Sequence, residues 1–83
     1  MRVTVKLYAT LSDYLPAGSK NNRVEIEVAE NVAVDAVLAP FLLPAKLTHL
    51  VLINGVFVPP DERATTALRE GDVLAVWPPI AGG

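Results

Sequence analysis

The stretch Arg69-Glu70-Gly71-Asp72-Val73-Leu74-Ala75-Val76-Trp77-Pro78-Pro79-Ile80-Ala81-Gly82-Gly83 holds a turn, a strand and a tail. Glu70-Gly71-Asp72 has turn chemistry, because glycine accepts backbone angles closed to other residues and aspartate bonds its own backbone. Val73 to Trp77 is an apolar run of strand length. Successive side chains alternate, so Leu74 and Val76 share one face and Val73, Ala75 and Trp77 the other. Pro78 and Pro79 end the strand, since proline cannot donate to a sheet ladder. A proline pair favours extended polyproline geometry. Residues 78–83 are therefore predicted to project as a flexible C-terminal tail, reaching roughly 15–20 Å at about 3.1 Å per residue.

Working outward, two more segments alternate with period two. Val3, Val5 and Leu7 face opposite to Arg2, Thr4 and Lys6, and Val24, Ile26 and Val28 face opposite to Arg23, Glu25 and Glu27. The two are expected to pair, with Arg2 and Lys6 near Glu25 and Glu27. Pro16 to Asn22 between them reads as a loop. Val34, Val37, Leu38 and Phe41 then take helical spacing, and Pro40 limits that helix to two short turns. Leu50 to Ile53 is continuously apolar, which predicts a central strand covered on both faces. Asn54-Gly55 predicts a tight hairpin into Val56-Phe57-Val58, because both residues tolerate positive φ. Asp61 to Leu68 reads as a loop with one helical turn at most, its Asp61 and Glu62 solvated.

Strand, strand, helix, strand, short strand, strand is an α+β order. One amphipathic helix can cover one face of a mixed sheet of four to five strands, which is a β-grasp. The expected organisation is a domain over 1–77 and a tail over 78–83.

Composition narrows the chemistry. The 83 residues are 52% hydrophobic and 19% charged, enough apolar content for one packed core. With no cysteine there is no thiol nucleophile, cysteine zinc site or disulfide scaffold. A single histidine, His49, rules out a histidine-rich metal centre or a histidine-based triad. Seven basic against nine acidic residues give a net charge of -2, which argues against nucleic-acid binding. No apolar run approaches the roughly 18 residues of a membrane span, and the opening residues show no signal pattern. A cytoplasmic protein without membrane contact is expected. No nucleophile–base pair suggests catalysis by the chain itself.

The tail offers different chemistry. Gly82-Gly83 presents a carboxylate with no side chain beside it, so an enzyme can close around it from every direction. A carboxylate is a poor electrophile and needs activation as an acyl-adenylate. The chain has no phosphate-cradling loop, so it binds no cofactor and ATP is used by a partner.

Residues 69–83 resemble the C-terminal signature of the MoaD/ThiS sulfur-carrier family, and the Pro-Pro-Ile-Ala-Gly-Gly ending is most similar to the small subunit of molybdopterin synthase. Ile53-Asn54-Gly55 is similar to that family's central hairpin, and Tyr8-Ala9-Thr10-Leu11 to its first-strand exit. The resemblance implies a ubiquitin-like β-grasp protein that is a cosubstrate and not an enzyme. An E1-like adenylating enzyme would activate Gly83, a sulfur donor protein would leave a thiocarboxylate, and Pro78, Pro79, Ile80, Ala81 and Gly82 would thread the tail into the large subunit of a synthase or another acceptor enzyme. It also implies that Leu74 and Val76 point into the core. Trp77, Phe57 and Ala75 then form a docking patch with Ile80, unless Trp77 folds back to complete the core. Other readings are sulfur supply to thiamine thiazole synthesis, a modifier forming isopeptides with lysines, and an interaction module without tail chemistry. Lys20 and Lys46 are candidate conjugation sites in the modifier reading.

Overall fold

Alternating burial in β1 (Arg2–Leu7) sets the architecture: Val3, Val5 and Leu7 are buried, and Arg2, Thr4 and Lys6 lie on the other face. The computed structural model describes residues 1–79. After β1 come β2 (Arg23–Glu27), α1 (Val34–Leu38), β3 (Leu50–Ile53), β4 (Val56–Phe57) and β5 (Val73–Trp77). Single 3₁₀ segments occupy Ala9–Tyr14, Ala39–Phe41, Ala45–Leu47 and Pro60–Glu62. The sheet order is β2-β1-β5-β3-β4. Within it β1 and β5 run parallel, and the remaining neighbours are antiparallel. The last strand therefore sits at the centre of the sheet. This is the α+β, ubiquitin-like β-grasp that the element order and the resemblance implied.

One face of the sheet carries the core. Val3, Val5, Leu7, Val51, Leu74 and Val76 are buried against Val34, Val37 and Leu38 of α1, with Leu11, Val58 and Leu68 closing the sides. Helix α1 is short for the reason the sequence indicates, since the chain tightens into a 3₁₀ turn around Pro40. Ala33 precedes α1 and offers no side-chain cap. The loop after β4 does that work: the Thr66 carbonyl accepts from the Val34 amide at 3.0 Å and the Arg63 carbonyl from the Asp35 amide at 3.1 Å. Two of the amides that a helix start leaves unpaired are thereby satisfied.

Arg63 anchors the same loop. Its side chain is buried, donating from Nη1 to the Thr48 carbonyl at 3.1 Å, from Nη2 to the His49 carbonyl at 3.1 Å and from Nε to the Val58 carbonyl at 3.4 Å. The sequence reading treated residues 61–68 as a loop and assigned no role to Arg63.

Two expectations need correction. The continuous run Leu50 to Ile53 is not covered on both faces: only Val51 is fully buried, and among the described residues no helix or second sheet covers the outer side of β3. Lys6 does not meet a glutamate. Arg2 stands opposite Glu27 as expected, but the register puts Lys6 opposite Arg23.

The hairpin at Asn54-Gly55 forms as read, with φ of 50° and 85°. Asn54 also clamps the entry to β5: its Nδ2 donates to Asp72 Oδ1 at 2.9 Å and its Oδ1 accepts from the Val73 amide at 2.9 Å. Asn54→Ala is expected to cost about 2 kcal/mol from the left-handed backbone and the lost bonds. Asn54→Gly, which keeps the backbone freedom, should cost less. Urea unfolding of the two variants checks the order; equal losses would mean that backbone conformation contributes nothing.

Candidate functional site: an open sheet face at the root of the tail

Among the described residues, no helix covers the side of the sheet away from α1. Strand registers align one residue from each strand across it: Arg23, Lys6, Ala75, Leu52 and Phe57. Phe57 is 50% exposed at the β4 edge, and Ala75 and Leu52 are half-buried. One step up β5, Trp77 stands opposite Leu50. The Tyr8 ring lies flat on the Trp77 ring, with centroids 3.9 Å apart and planes 4° from parallel. Such a pair contributes about 0.5–1.5 kcal/mol beyond its buried area. The stack forms because the Tyr8 amide follows β1 along β5, donating to the Val76 carbonyl at 3.1 Å.

Trp77 and Ala75 share one face, as the alternation required, and the registers bring Phe57 onto it, with Leu52 between Ala75 and Phe57. Trp77 does not join the core; it is half-buried on the outer side. The sequence reading missed Tyr8, Leu50 and Leu52 as members of this surface. Counting alternation outward from Val51 would have found the two leucines, whereas Tyr8 needed the parallel β1–β5 pairing.

At the top of β5 the Trp77 carbonyl accepts from the His49 amide at 3.2 Å. Pro78, expected to project, is buried; Pro79 is exposed. Ile80, Ala81, Gly82 and Gly83 lie outside the described residues. Among the described residues no group of histidine, cysteine, aspartate and glutamate could hold a metal ion. Within the same residues, no helix is long and apolar enough to cross a membrane.

A five-stranded β-grasp whose central strand leads in sequence toward Gly82-Gly83 defines a small ubiquitin-like protein. The ThiS family model matches residues 5–83, and the chain belongs to that family. No curated protein matches it in sequence. Solved structures do match. SAMP1 from Haloferax volcanii superposes with a TM-score of 0.69 at 28% identity, with 100% of each chain covered. The solution structure of the Haloferax volcanii HVO 2177 protein gives 0.74 at 26% identity, covering 100% of this chain and 87% of that one. A chain in the complex of subunits 1 and 2 of the molybdopterin-converting factor from Helicobacter pylori 26695 gives 0.64, covering 100% of both. Its 19% identity speaks for the fold alone.

Proposed function

We propose that the chain is a sulfur carrier whose reacting group is the Gly83 carboxylate. The observation that carries this reading is the ThiS family match running through the Gly-Gly sequence to residue 83. In the proposed cycle an E1-like enzyme uses ATP to adenylate Gly83, and pyrophosphate leaves. A sulfide-level sulfur from a donor protein then displaces AMP, which leaves a thiocarboxylate. Pro79, Ile80, Ala81 and Gly82 thread the tail into the partner, with buried Pro78 as its fixed root, and Trp77, Ala75 and Phe57 dock the body beside it. The acceptor enzyme we favour is the large subunit of molybdopterin synthase. That preference rests on the Pro-Pro-Ile-Ala-Gly-Gly ending. A thiazole precursor is the alternative acceptor.

A second reading is a protein modifier, in which a lysine amine displaces AMP and an isopeptide forms. It is favoured by the 27% identity to a Haloferax volcanii protein described as small archaeal modifier protein 1. Intact mass after incubation with an activating enzyme, ATP and a sulfur donor separates the two. The carrier gains the mass of sulfur for oxygen. Lysine-linked adducts instead mean a modifier, and an unchanged mass with a demonstrably active enzyme sinks both.

Phe57→Ala is expected to raise KM for the activating enzyme about tenfold or more, as truncation of a docking aromatic does, while kcat holds. Phe57 is half exposed, so the fold should survive, and a thermal melt run beside the kinetics checks this.

A further inference from the structure

The row across the open face changes character halfway. Leu52 and Phe57 are apolar and Ala75 small, but Lys6 and Arg23 are two cations directly opposite each other. Met1 and Val28 exchange backbone bonds at 2.7 and 2.8 Å, and the Leu7 amide donates to the Asn22 carbonyl at 2.8 Å. Alternation along the ladder then makes Lys6–Arg23 a non-hydrogen-bonded pair, the class with Cα atoms about 4.5 Å apart and the side chains closest. Like charges so placed destabilise a sheet.

The fold could have neutralised them and does not. Both carboxylates of β2 pair with Arg2 instead: its Nη1 lies 3.8 Å from Glu25, in the middle of the strand, and its Nε 3.1 Å from Glu27 at the end. Among the described residues no ion pair includes Lys6 or Arg23. Exposed Lys20 adds a third cation at that corner, where it bridges to Arg23. In a chain of net charge -2, this is a local positive corner on the apolar docking row.

We propose that Lys6 and Arg23 are the electrostatic half of the docking face, and that the protein receiving the tail presents carboxylates to them beside an apolar surface for Leu52 and Phe57. Strands lie about 4.8 Å apart, so Arg23 and Phe57 are separated by roughly 19 Å, within the span of one ordinary protein interface. The cations steer the encounter and set its orientation, and the apolar half supplies the contact area. This inference rests on the carrier reading for the identity of the partner, an adenylating enzyme with an acidic rim.

The test is steady-state activation by that enzyme, with adduct read by intact mass, for the wild type, Arg23→Glu and the double variant Lys6→Glu/Arg23→Glu. The double variant keeps a like-charge pair but sets it beside Glu25, so its melting temperature should fall by about 2–5 °C, which leaves it folded, while KM rises about tenfold or more and kcat is unchanged. Arg23→Glu places a carboxylate opposite Lys6 and should melt about 2–5 °C higher, yet dock more weakly. Raising ionic strength until the Debye length falls to about 3 Å should weaken the wild type and not the double variant. Equal KM values for wild type and double variant overturn the proposal while leaving the carrier reading intact. A wild type that gains no adduct overturns the carrier reading and this inference with it.

Discussion

Arg63→Ala is expected to remove about 3 kcal/mol of stability, lowering the melting temperature by roughly 12–24 °C for a domain of this size. Arg63 is 7% exposed, and its guanidinium bonds the carbonyls of Val58, Thr48 and His49. Truncation strands these acceptors at the junction of three segments, and each buried acceptor left unpaired costs about 1–3 kcal/mol before water enters. The damage spreads through the backbone, since the loop that Arg63 anchors also caps α1 through its own carbonyl and that of Thr66. Arg63→Lys keeps the charge but replaces a planar fork with a point donor, so it should lose an intermediate amount. Urea unfolding should show the midpoint falling at constant slope. A loss below about 1 kcal/mol would mean that the three carbonyls find other donors.

Deleting Gly83 is expected to abolish sulfur loading altogether while leaving the melting temperature where it was. The carrier reading needs an unhindered carboxylate at the end of a threaded tail. Without Gly83, that carboxylate recedes by one residue, about 3 Å. A displacement of about 1 Å from the attacking geometry can already cost a hundredfold in rate. A chain extended beyond Gly83 by one alanine should fail likewise, its new carboxylate displaced and flanked by a methyl group. Mass spectrometry of each variant beside the wild type is the measurement. Loading of the deleted chain at the wild-type rate would move the chemistry away from Gly83.

Much of this was legible because local rules act alone at the relevant positions. Period two in Val3-Val5-Leu7 and Leu74-Val76 gave the buried face, Pro40 gave the length of the helix, and Asn54-Gly55 gave the hairpin. The placement of Trp77 and Ala75 on one face followed from the same alternation, whereas Phe57 joins them through the registers of β3 with β4 and β5. What the residues hid depended on partners distant in sequence. The run Leu50 to Ile53 looks doubly buried because apolar composition does not reveal whether the outer face has a cover. Lys6 meets Arg23 and not a glutamate, because register is fixed by the whole strand pair and not by charge. Arg63 carries no local mark of burial: its three acceptors are backbone carbonyls at Val58, Thr48 and His49, and any residue type supplies those.

Placing β5 between β1 and β3 has a mechanical consequence. A partner that draws the tail into its channel pulls along the axis of β5. Both flanking ladders then bear load together, in shear, so their hydrogen bonds cannot be peeled away one at a time. Had the strand been an edge, a single ladder would have to bear the same pull. The position of β5 makes the body a stopper: it resists traction at its exit, and what gives first is the docking contact and not the fold.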